Sequence, residues 1–124
     1  INSLKNRLEA LGDSKIPLKK TVLLGFSQGG AMAIASGSKL PLAGLIGCSA
    51  YSHPEWTGSA DRPPVMLIHG RQDDVVPLSS AKALRDCLQV SSNKEVELVV
   101  FEGGHCIPLE MVNRIQLKIL NWFS

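Results

Sequence analysis

The sequence contains no apolar run near the roughly 18 residues that a membrane-spanning helix needs, and its first residues show no charged-then-apolar pattern. No integral membrane segment is therefore expected. Cysteine is scarce: Cys48, Cys87 and Cys106 are odd in number and show no C-x-x-C spacing. They read as free thiols rather than a disulfide frame or a zinc site, which favours a reducing compartment, with a cytoplasmic location as the expectation. Charge of one sign is scarce as well. The net charge is only +2 and the Lys and Arg residues are scattered, so no nucleic-acid footprint is expected. Internal repeats and low-complexity segments are missing.

What is present is an ordinary globular composition, 44% apolar and 19% charged over 124 residues, which fits one domain. Ile1, Leu4, Leu8 and Leu11 recur at helical spacing, ended by Gly12-Asp13-Ser14. A start at Ile1, inside a helical pattern and without methionine, predicts a piece of something longer. The apolar runs "TVLLGF" (Thr21–Phe26), "LAGLIGC" (Leu42–Cys48), "VMLIHG" (Val65–Gly70) and "EVELVVF" (Glu95–Phe101) predict four strands. The first of these is continuous enough to predict burial on both faces. Helices are expected from Ser27 to about Ser38, from Ser79 to about Gln89 with a serine as cap, and from Pro108 to Trp122. On the second helix Ala81, Leu84, Cys87 and Leu88 fall on one side. Strands alternating with helices imply an α/β fold with a mostly parallel sheet, whose reactive groups gather beyond the carboxyl ends of the strands.

Three polar positions follow three of these strands. Ser27 lies in Gly25-Phe26-Ser27-Gln28-Gly29, a G-x-S-x-G match at an expected strand-to-helix junction. In a nucleophile elbow, flanking glycines leave room for a strained turn that projects the serine hydroxyl. The next backbone N–H, that of Gln28, then opens a helix where developing negative charge is favoured. By chance alone a chain of this length would carry such a match with a probability of about 4%. In "HGRQDDVVP", Asp73 and Asp74 are both candidates to orient a histidine, against the alternative of a solvated acidic turn. In "EGGHCIP", His105 follows two glycines and is a candidate general base. His53 reads as a surface residue, and His69 as a structural one bonded within the aspartate turn. Serine, then aspartate, then histidine is the chain order of the α/β-hydrolase fold.

With these segments identified, the sequence resembles the phospholipase/carboxylesterase family of α/β hydrolases, which includes the acyl-protein thioesterases. "GFSQGGAMA" is similar to that family's nucleophile segment, "HGRQDDVVP" to its acid segment and "EGGHCIP" to its histidine loop. The resemblance implies Asp73 rather than Asp74 as the acid. It also implies hydrolysis of carboxylic esters or thioesters by Ser27, His105 and Asp73, with no metal or organic cofactor. The substrate would be a small molecule, a lipid or an acylated protein. The family's further strands, one of which leads into the second oxyanion donor, have no counterpart in this sequence. The expectation is thus one α/β-hydrolase domain over residues 1–124 lacking its amino-terminal strands, with the first predicted strand left as a sheet edge. A non-catalytic binding module on the same fold is the alternative. A peptidase or lipase fits less well, since no large lid insertion lies between Leu42 and Pro63.

Overall fold

The computed structural model describes residues 17–54, 56 and 58–124; the helix expected over the first twelve positions lies outside them. A 3₁₀ turn at Leu18–Lys20 leads into strand β1 (Val22–Phe26), helix α1 (Gln28–Gly37), β2 (Gly44–Cys48), β3 (Val65–Gly70), α2 (Leu78–Ser91), β4 (Val96–Phe101) and α3 (Leu109–Trp122). The four strands form one parallel sheet in the order β1-β2-β3-β4, as the strand–helix alternation requires.

Neighbouring residues of each strand point to opposite faces, and the sheet is covered on both. Leu45, Val65 and Leu67 pack with Ile34, Leu84 and Leu88 beneath α1 and α2. Ile46, Cys48, Met66, Ile68, Val99 and Phe101 pack on the other face with Met111 and Ile115 of α3. This explains why β2 and β3 read as unbroken apolar runs: every residue in them is buried. Burial pushes the Cys48 thiol up to about 11, so it behaves as a small apolar side chain.

β1 departs from its expected burial on both faces. Leu24 is 43% and Phe26 38% exposed, because among the described residues β1 is an edge strand paired with β2 alone. Two details of α2 also differ. Its N-cap is Pro77 without a side-chain bond, so Ser79 does not cap it, and Cys87 is exposed rather than on the buried side. The predicted loop before β3 contributes a buried Arg62. Its guanidinium donates to the carbonyls of Leu88 (3.0 and 2.8 Å), Pro63 (2.9 Å) and Lys94 (2.8 Å), closing the end of α2 and tying it to the start of β4. Arginine suits this position because its fork of donors can serve several orphan carbonyls at once.

At the carboxyl ends the register aligns Phe26 with Cys48, Cys48 with Ile68, and Gly70 with Phe101. Each strand then gives its neighbour one further bond: Ser27 N–H to Cys48 O, Ser49 N–H to Ile68 O, and Arg71 N–H to Phe101 O, all 2.8 Å. The loops that leave β1, β3 and β4 therefore start from a common rim.

Candidate active site

Ser27 occupies the single turn residue between β1 and α1, with φ 56° and ψ −118°. A non-glycine residue held there costs about 1–3 kcal/mol and persists only where its surroundings impose it. The imposition comes from close backbone packing. A Cβ on Gly25 would fall on the Gly29 carbonyl and 2.6 Å from Gly30 N; one on Gly30 would meet Ala50 Cβ at 2.8 Å and Gly25 O at 2.9 Å. Gly29 faces open space, so of the two glycines flanking the motif only Gly25 is required by the elbow. Gly25→Ala should therefore destabilise the protein by about 3 kcal/mol or more, because backbone cannot move aside cheaply. Gly29→Ala should leave stability unchanged or raise it by up to ~1 kcal/mol through helix propensity. Urea melts of the two variants check the contrast, and equal effects would refute this account of the turn.

The rim brings together side chains that are 78 and 32 residues apart in sequence. His105 Nε2 lies 3.0 Å from Ser27 Oγ, and His105 Nδ1 lies 2.8 Å from Asp73 Oδ2. An ionised carboxylate only accepts, so Nδ1 carries the proton and donates it to Asp73. Nε2 is then the acceptor for the Ser27 hydroxyl. Asp73 is buried, and its other oxygen, Oδ1, accepts the N–H groups of Val75 (2.9 Å) and Val76 (2.8 Å). Burial by itself raises the Asp73 pKa. The bond from His105 and the two backbone N–H groups outweigh it and hold the carboxyl below its ordinary value. Asp74 is exposed, and of the two aspartates of the acid segment it is Asp73 that meets His105.

His69 is buried near the end of strand β3, with Nε2 2.7 Å from Val76 O and 3.5 Å from Asp73 Oδ2. It braces the turn that presents Asp73, in line with the structural role expected of it. His53 is half-buried, on the loop that follows β2. Gln28 begins α1 directly after Ser27, so its N–H belongs to the first turn, where no intrahelical acceptor is available. Among the described residues no cluster of three or more His, Cys, Asp or Glu is arranged to hold a metal ion, and no helix is long and apolar enough to cross a membrane.

Two features had no separate signal in the sequence. The Phe26 ring packs against the His105 imidazole with centroids 4.8 Å apart and the planes tilted by 49°. Beside Ser27 a cavity of about 450 Å³ is lined by Tyr51, Val75, Val76, Pro77 and Ser80, within the range of small-molecule sites. Neither is marked by periodicity, since both depend on which loops the sheet brings side by side.

A parallel sheet with a strained serine between strand and helix, and an acid and a histidine on loops after later strands, defines the α/β-hydrolase architecture. The family model described as Phospholipase/Carboxylesterase matches residues 1–122, and the chain belongs to that family. The chain is 34% identical over 118 residues to the acyl-protein thioesterase 1 of Neurospora crassa, an alignment covering 84% of this chain and 46% of that protein. The crystal structure of esterase PE8 is 29% identical, with a TM-score of 0.83 over 95% of this chain and 58% of its own. That of Zea mays acyl-protein thioesterase 2, at 20% identity, shares the fold with a TM-score of 0.82 over 98% of this chain and 64% of its own. The chain spans about half the length of the curated relatives it matches.

Proposed function

We propose that this chain carries the reacting groups of a serine hydrolase that cleaves carboxylic esters or thioesters. The observation that supports the reading is the continuous hydrogen-bonded path from Asp73 through His105 to Ser27. Ser27 Oγ attacks the acyl carbonyl while His105 Nε2 takes its proton. The imidazolium so formed is held by Asp73, whose charge is already stabilised by Val75 and Val76 N–H. The Gln28 N–H donates to the oxyanion of the tetrahedral intermediate, at the positive end of α1. His105 then returns the proton to the leaving alcohol or thiol, and the acyl-enzyme remains. Water, deprotonated by the same imidazole, attacks the acyl carbonyl; the bond from the acyl carbon to Ser27 Oγ then breaks, His105 returns its proton to Oγ, and the carboxylic acid leaves. The sequence requires no metal and no organic cofactor.

The relatives named as acyl-protein thioesterases support an acylated protein or a lipid as substrate. The apolar wall of Val75, Val76 and Pro77 beside Ser27 suits a hydrocarbon portion of either. Three free thiols accord with a cytoplasmic setting. Incubation of the intact native protein with a fluorophosphonate probe, followed by peptide mapping, is expected to find one adduct, on Ser27. An adduct on a different residue, or none, would overturn the assignment.

A further inference from the structure

We propose that Gln72 is a positioning residue that latches the histidine loop to the acid loop and so keeps His105 in register with Asp73. The inference rests on the serine-hydrolase reading above. The β3–β4 ladder ends at Gly70 opposite Phe101, with one last bond from Arg71 N–H to Phe101 O. Beyond that point the acid loop turns back on itself, Asp73 N–H reaching Gly70 O at 3.2 Å. Gln72 carries the pairing with β4's extension one residue further, through its main chain and its side chain together. Its own N–H donates to Gly103 O (2.9 Å), its side-chain Oε1 accepts Gly103 N–H (2.7 Å), and its Nε2 donates to Glu102 Oε2 (2.8 Å). A primary amide suits the task because it offers a donor and an acceptor at once, as a peptide group does.

The position of the latch gives it a consequence for the chemistry. Gln72 immediately precedes Asp73, and Gly103 stands two residues before His105. Gly103-Gly104 is the stretch of that loop with the most backbone freedom to lose. The two loops also touch backbone to backbone, since a Cβ on Gly70 would fall on the carbonyls of Gly103 and Gly104. Fixing Gly103 at both its N–H and its C=O removes the hinge motion that would swing His105 away from Asp73 and Ser27. Arg71 adds an exposed contact to Glu102 (3.3 Å), which screening by water leaves weak. The latch therefore acts on the reacting geometry rather than on the affinity for substrate.

The test is a polarity swap in the intact protein, assayed with a short-chain p-nitrophenyl ester. Gln72→Glu keeps an acceptor for Gly103 N–H but loses the donor and sets two carboxylates together. It should lower kcat about tenfold with KM unchanged, less than the ~100-fold of a full misplacement by about 1 Å. In Gln72→Glu/Glu102→Gln the amide introduced at 102 donates to the carboxylate introduced at 72, and kcat should return to within about threefold of wild type. Gln72→Ala should speed hydrogen exchange at the Gly103 amide about tenfold, a readout independent of turnover. A role confined to stability would lower Tm and leave the kcat of folded protein unchanged. That result, a Gln72→Glu enzyme as fast as wild type, or a loss the double variant does not recover, would overturn the latch while Ser27 labelling leaves the hydrolase reading standing. A wild-type protein that does not label at Ser27 would remove both.

Discussion

Ser27→Ala is expected to lower kcat on a p-nitrophenyl ester by roughly 10⁶-fold, the scale seen when a serine nucleophile is removed from such a triad. The protein should remain folded. Alanine at φ 56° is no less strained than serine there, and the bond of the serine side chain given up among the described residues is the part-buried contact to His105. That contact contributes about 0.5–1.5 kcal/mol at most. Residual turnover should not fall further in Ser27→Ala/His105→Ala, because His105 has no proton to take once the hydroxyl is gone. Steady-state rates and thermal melts of the single and double variants check both statements. A Ser27→Ala protein retaining a tenth of wild-type kcat, or a double variant much slower than the single, would show that another group attacks the ester.

The sequence displayed what is encoded locally. "VMLIHG" reads as a strand because every residue in it is buried on one face or the other, and the structure returns the same limits, Val65–Gly70. The glycines around Ser27 announce a crowded turn, although only the packing in the fold shows that Gly25 and Gly30 fill that need and Gly29 does not. Edge and interior strands are not told apart by an apolar run alone: the run Thr21–Phe26 predicts cover on both faces, whereas the family resemblance predicts the sheet edge at which Leu24 and Phe26 are half exposed. Asp73 and Asp74 are equivalent by composition. What separates them is a turn that wraps the Val75 and Val76 amides around one carboxylate and leaves the other in water. Gln72 was invisible for a further reason: its partners Glu102 and Gly103 meet it only through the β3–β4 register.

The second large effect concerns the acid. Asp73→Asn should lower kcat by about 10⁴-fold through the wrong histidine tautomer rather than through lost shape. The structure fixes which way the new amide must face. Val75 and Val76 N–H both point at Oδ1, so the asparagine oxygen takes that side and its NH₂ group is turned toward His105 Nδ1. Nδ1 must then accept, the ring proton moves to Nε2, and the imidazole can no longer receive the Ser27 proton. The same variant carries a pH signature in stability. Asp73 is held below the ordinary carboxylate range when folded, so its contribution is complete above the unfolded value of about 3.9 and is lost as pH falls through the lower, folded value. Asparagine does not titrate, so the stability gap between wild type and variant should be widest near neutrality and should narrow below about pH 4. Urea melts at neutral and acidic pH measure that gap. A gap of constant size would mean that Asp73 gains nothing from His105, Val75 and Val76 in the folded state, and a variant within tenfold of wild-type kcat would mean that the tautomer of His105 is set by something else.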